Sequence, residues 1–229
     1  MTGPWVLVLD ERFATPAPLG GFAGAYPGWG RYDGLTDTTG RGRYDTAATV
    51  SVAGGVADVW VRSIDGQPTV AALLPPVGGD PWSGQVHGRY EVTFRADPVP
   101  GYKIAWLLWP ASDVWDDGEV DYPEGPLDGE FAAHSLCIGA APEFCFHSAP
   151  LGRMSGWRTA VTEWAPGRLA FLLDGAVVGE TTDPRAIPTG PMRWVLQTET
   201  ADAVAPAAAA EGHVQIAGLR IWAWSGDAE

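Results

Sequence analysis

Glycine and proline punctuate this chain from end to end, 30 and 20 of them in 229 residues, and leave no run of helix heptads. Frequent turn signals of that kind select many short strands over a few long helices. Strand candidates fall at 6–9, 50–53, 56–61, 88–95, 104–109, 119–122, 131–138, 144–148, 157–164, 169–173, 193–198 and 214–224. Gly54-Gly55 and Asp174-Gly175 are tight-turn pairs between neighbouring candidates. Residues 88–95 alternate in character as a half-buried strand does, whereas 104–109 is nearly all apolar, as expected of a central strand covered on both faces. The segment 20–42 reads as loop, and so does 201–211, whose helical composition is interrupted by Pro206. At least ten strands with no linker, composition break or internal repeat predict an all-β sandwich or barrel, with a single domain over residues 1–229.

Composition narrows the partners. The net charge is −14 and Lys103 is the only lysine, so nucleic acid and anionic lipid are repelled and a neutral substrate is favoured. No segment reaches the roughly 20 apolar residues needed to span a bilayer. The opening Met1-Thr2-Gly3-Pro4-Trp5 has neither a basic start nor an apolar core, so the numbered chain is expected to carry no export signal. That fits a cytoplasmic protein, or a secreted one whose leader has been removed. Twelve Trp are many for such a chain. About two thirds are expected in the core, leaving the others to stack on sugar rings. Cys137 and Cys145 flank a stretch containing Gly139 and Pro142 that reads as a hairpin turn, with the thiols on facing strands. They are read either as a disulfide or as two buried free thiols.

The chemistry concentrates in Trp115-Asp-Asp-Gly-Glu119-Val-Asp121-Tyr-Pro-Glu124-Gly125. Side chains alternate along a strand, so Glu119 and Asp121 share a face and Glu124 would point away. One extra residue inserted as a bulge reverses the alternation and returns Glu124 to that face. Pro123, which cannot donate to a ladder, is a natural place for it. Three neighbouring carboxylates without a basic partner in the motif repel, so at least one is expected to be protonated near neutrality. A nucleophilic carboxylate beside a protonated one is the requirement of retaining glycoside hydrolysis. An acidic surface turn or a calcium loop is the competing reading, since Asp113, Asp116, Asp117, Asp128 and Glu130 lie nearby.

With these residues in view, the sequence resembles glycoside hydrolase family 16, which includes laminarinases, lichenases, agarases and carrageenases. Its bulged Glu-x-Asp-x-x-Glu signature is matched by Glu119, Asp121 and Glu124. The stretches 10–13, 88–92, 164–175 and 214–221 are similar, in order, to further family segments. The resemblance implies a β-jelly-roll, concanavalin A-like sandwich of two curved antiparallel sheets. It assigns Glu119 as nucleophile, Asp121 as supporting acid and Glu124 as general acid/base. It also points to Trp115 and His134 as residues that bind substrate, with Trp106 and Trp29 as further cleft candidates; Gln197 and Glu199 alternate onto one face of 194–200, which is the cleft if Trp194 and Leu196 are core. No cofactor is expected, because Ala217 stands where many members carry an Asp beside calcium. The segment Lys103-Ile-Ala-Trp-Leu-Leu-Trp109 replaces the family's usual Trp-Pro-Ala-Phe-Trp, so its aromatic platforms have moved.

The expected activity is therefore a retaining endo-β-glycanase, a monomer acting on β-1,3- or mixed β-1,3/1,4-glucan. The alternatives are a non-catalytic glycan-binding protein, a transglycosylase and a galactan hydrolase of the same family.

Overall fold

The computed structural model describes residues 4–226. Two curved sheets pack face to face as a jelly roll. The larger, ten-stranded sheet is centred on Gly88–Ala96 and on Gly212–Trp224. The last strand pairs with Gly88–Ala96 along one edge, and its other edge is shared between Val56–Ile64 and the first strand, Trp5–Glu11. The smaller, seven-stranded sheet runs in the order Phe144–His147, Ala132–Leu136, Val120–Pro126, Tyr102–Pro110, Met192–Thr200, Ala72–Leu74 and Gly30–Arg31. Pairing is antiparallel except for Arg43–Tyr44 against Gln67–Val70. Among the described residues no helix is long and apolar enough to cross a membrane.

The expected turns are in place. Gly54-Gly55 joins Val50–Ala53 to Val56–Ile64. Asp174 and Gly175, at φ of 50° and 85°, join Arg168–Leu173 to Ala176–Thr181. A two-residue hairpin whose twist matches its strands needs positive φ at both positions, which is why Asp-Gly suits it. Residues 201–211 are loop, as read from Pro206. Within 20–42, also read as loop, the chain forms one helical turn, Phe22–Ala25, and the edge strand Gly30–Arg31.

The core lies between the sheets. Tyr90, Val92 and Phe94 of the large sheet meet Ile104, Trp106, Leu108, Trp194 and Leu196 of the small one. Full burial of each such side chain contributes about 1.5–3 kcal/mol. Only Trp29, Trp106, Trp164 and Trp194 are buried, a third of the twelve rather than the expected two thirds. Several others lie on the outer sheet under guanidinium groups, as Trp60 does with Arg62 3.5 Å from its ring centroid.

Cys137 and Cys145 form a disulfide across the turn 138–144. This hairpin also props the loop that carries Trp115: Gly139 donates its N–H to the Asp116 carbonyl at 2.8 Å, and Ala141 to the Asp116 side chain at 3.3 Å. Closing so short a loop restricts the unfolded chain, so Cys137→Ser is expected to lower unfolding stability by about 2.5 kcal/mol. Urea titration of the two proteins measures it; equal midpoints would mean that the cross-link contributes nothing.

Candidate active site

The bulge lies where the motif predicted it. Asp121 pairs with His134 on one side and Leu107 on the other, whereas Glu124 pairs with Ala132 and Ala105. Three residues of the motif strand thus span two on each neighbour, and the extra residue falls within Tyr122-Pro123. Val120 and Tyr122 go to the core, while Glu119, Asp121 and Glu124 line one cavity of about 350 Å³ on the concave face.

The same alternation fixes the neighbouring strands. Opposite Glu124, Ala105 faces the cleft, so Lys103, Leu107 and Trp109 do too, and Trp106 must face the core. On the next strand Arg193, Val195, Gln197 and Glu199 face the cleft, with Trp194 and Leu196 beneath.

Two expected cleft residues are therefore corrected. Trp106 is 1% exposed and packs edge-on against Phe94. Trp29 is 5% exposed within a cluster of Phe13, Phe22 and Tyr26, because its segment folds inward over the end of the sandwich. Trp115, His134, Gln197 and Glu199 do line the groove.

Sequence reading did not single out Trp109, Lys103, Tyr32, Thr38, Tyr44, Arg193 or His147. The first two were accessible in principle: once Glu124 is registered on Ala105, strand parity delivers both. Arg193 shares the parity of Gln197 and Glu199 and was accessible in the same way; Tyr32, Thr38, Tyr44 and His147 come from other loops and strands, and only the fold brings them here.

Glu119 follows a tight turn, Trp115–Asp117, that is closed by Gly118 and folds back over it, so that the Trp115 indole N–H donates to the Glu119 carboxylate. The reversal runs through Gly118 at φ 114°, a conformation denied to residues with a side chain; a Cβ there would also meet Pro188 Cγ at 3.0 Å. The Glu119 carbonyl accepts from Leu136 N at 2.9 Å, which anchors the nucleophile candidate to the sheet.

Electrostatics separates the three acids. Asp121 is 3% exposed. Burial, then the charges of Glu119 and Glu124, push its carboxyl well above the usual range, so it stays protonated and hydrogen-bonds to Glu119. Burial also raises Glu119, but the hydrogen bonds from Asp121 and Trp115 and the charge of Lys103 pull it back. Burial raises Glu124 as well; Lys103 opposes that shift, and Glu119 and Glu199 add to it. Burial raises all three carboxyls, Asp121 most, and they titrate as one coupled set.

His134 Nε2 lies 3.7 Å from Glu124 Oε2, and its Nδ1 lies 2.7 Å from Nδ1 of His147. Burial and then His147 push His134 down to about 4, so the imidazole is neutral at physiological pH and adds no charge to Glu124.

The central cavity continues in both directions. On the Glu119 side, about 360 Å³ is lined by Tyr32, Leu35, Trp109, Asp113 and Arg193. There Asp113 accepts from the Trp109 indole at 3.0 Å and is gripped by Arg193, which fixes the indole's orientation. Past Glu124, about 340 Å³ is lined by Lys103, Glu130, His134 and Asp202. Three adjoining cavities, with Glu119, Asp121 and Glu124 in the middle one, make an open groove.

On the outer sheet, Asp10, Glu11, Glu91 and Ala217 line another cavity. These residues do not fit a calcium ion. Asp10 is bonded to Arg12, Glu91 to Arg89 and Arg220, Glu11 accepts from Phe13 N, and Ala217 offers no side-chain oxygen.

No protein-family model and no curated protein matches the chain. Solved structures do. SCLam, a non-specific endo-β-1,3(4)-glucanase from family GH16, superposes with a TM-score of 0.77 at 16% identity, over 96% of this chain and 92% of its own. The fold is that of glycoside hydrolase family 16. LamAcat from Zobellia galactanivorans shares it at a TM-score of 0.75 and 17% identity, over 95% of this chain and 98% of its own. So does an immunostimulatory antigen and pseudo β-1,3-glucanase of Mycobacterium tuberculosis, at 0.75 and 17%, over 96% and 99%. The family 16 fold thus accompanies both a glucanase and a pseudo-glucanase, and function has to be argued from the groove itself.

Proposed function

We propose that this protein is a retaining endo-β-glycanase that hydrolyses β-1,3- or mixed β-1,3/1,4-glucan. The carrying observation is the bulge that turns Glu119, Asp121 and Glu124 into one cavity in the middle of an open groove. Like solved structures support the substrate class. A LamA variant has been crystallised with laminaritriose and laminaritetraose, and a SCLam variant with 1,3-β-D-cellobiosyl-cellobiose.

In the first step an ionised Glu119 oxygen attacks the anomeric carbon while Glu124 gives its proton to the glycosidic oxygen, and the bond between them breaks. The Trp115 indole and the protonated Asp121 both donate to Glu119, orienting the attacking oxygen. In the second step Glu124, now a carboxylate, takes a proton from water as the water oxygen displaces Glu119 from the anomeric carbon. Two inversions leave the configuration retained.

Incubation with laminarin, lichenan, agarose, carrageenan and xyloglucan, with products sized by chromatography and the first-formed anomer read by NMR, tests the reading. Intermediate-length oligosaccharides from laminarin or lichenan with the β-anomer first are expected. No cleavage of any glycan would assign the groove to binding alone, and an α-anomer formed first would remove Glu119 as nucleophile.

A further inference from the structure

The only lysine of the chain lies in the groove. Lys103 sits on Tyr102–Pro110, with its side chain 13% exposed and its Nζ 3.6 Å from Glu124 Oε1, 3.7 Å from Glu199 Oε2 and 2.8 Å from Asp202 Oδ2. Two of these carboxylates hold the ammonium in place. Glu199 is fully buried and itself fixed by the Tyr44 hydroxyl, by Thr38 Oγ1 at 2.8 Å and by Thr38 N at 3.3 Å. Asp202, largely exposed, ties the ammonium to the loop that follows Met192–Thr200.

We infer that Lys103 is a positioning residue for Glu124, a fixed ammonium that orients the carboxyl and stabilises its ionised form as the proton leaves. The inference rests on the reading of Glu124 as the acid/base.

Every group around Glu124 can be weighed. On its own strand, Asp121 is neutral and Glu119 is a like charge. From Ala132–Leu136, His134 is neutral, with His147 behind it. From Met192–Thr200, Glu199 is a like charge; Glu130 and Asp202 line the same cavity and are acidic. Among the described residues Lys103 is therefore the one cation facing Glu124. Without it, the proton leaving Glu124 in the first step would create a carboxylate beside Glu199, Glu130 and Asp202 with no cation to offset them, and glycosidic cleavage would be slower. With Oε1 turned to the ammonium, the transferable proton belongs on Oε2, towards His134.

An opposite charge at this range lowers a carboxyl pKa by about 1–3 units. Removing Lys103 is therefore expected to raise Glu124, and activity that needs protonated Glu124 should persist to higher pH. Neutralising Asp202 leaves the ammonium less compensated and is expected to do the opposite.

The test is a titration of the side-chain carboxyl carbons of 13C-labelled Glu in the wild type, Lys103→Met and Asp202→Asn, with the Glu124 signal assigned from Glu124→Gln. It is read together with the alkaline limb of kcat/KM on a laminarin oligosaccharide. The Glu124 midpoint should rise by about one pH unit or more in Lys103→Met and fall in Asp202→Asn, with the alkaline limb following each. Asp202 is exposed, so the second variant keeps the test open even if the first fails to fold. A midpoint that does not move in either variant overturns the inference. Midpoints that move as expected in a wild-type protein without turnover would uphold the ion pair and overturn the hydrolytic reading instead.

Discussion

Glu119→Gln should abolish hydrolysis while leaving a folded protein that still binds glucan. The substitution removes the nucleophilic charge but keeps an oxygen to accept from the Trp115 indole. The ladder bond from Leu136 involves only the Glu119 backbone. Loss of a nucleophile costs on the order of 10⁴- to 10⁶-fold in turnover when the rest of the constellation is intact. Reducing-sugar release from laminarin measures the loss, circular dichroism checks the fold, and affinity electrophoresis in glucan checks binding. Turnover within tenfold of wild type would mean that Glu119 does not attack the substrate. A wild-type protein with no turnover at all would join the pseudo-glucanase that shares its fold.

Removal of the acid/base should behave differently, because its two tasks fall in separate steps. Glu124→Ala is expected to slow polysaccharide cleavage by about 10²- to 10⁴-fold, the usual contribution of general acid catalysis. An aryl glycoside with a strongly acidic phenol needs no proton for departure, so its first step should run nearly unimpaired. The second step then lacks its base, and a glycosyl ester on Glu119 should accumulate, visible as a mass increase of the intact protein. Added azide needs no base and should restore turnover, giving the β-glycosyl azide. Equal losses on the aryl glycoside and the polysaccharide, with no rescue, would deny Glu124 the proton-transfer role. The cavity beyond Glu124, with its neutral His134 and its lysine, is where the departing sugar would lie.

Much of this architecture was legible in the chain because it is local. Gly54-Gly55 and Asp174-Gly175 accept the positive φ that a tight hairpin needs, and each produced its hairpin. Pro123 cannot donate to a ladder, and the bulge formed beside it. The alternation of Trp194 to Thr200 was enough to send Gln197 and Glu199 to one face and Trp194 to the other. Where the reading failed, the missing quantity was non-local. Trp106 and Trp109 are three residues apart and chemically identical, and only the pairing of Ala105 with Glu124 says which indole meets the groove. Trp29 was drawn inward by Phe13, Phe22 and Tyr26 across a loop whose path no periodicity describes.

The sequence by itself determined the class of fold, the bulged acidic strand and the presence of three carboxyls on one face, since each follows from backbone conformations available to single residues and from the period of a strand. Only the tertiary structure decided which acid stays neutral, which tryptophans face the groove, and that the sole lysine stands beside Glu124. Charge and burial at a point depend on everything within a few ångströms of it. In this sandwich the neighbours of Glu124 come from strands tens of residues apart in the chain.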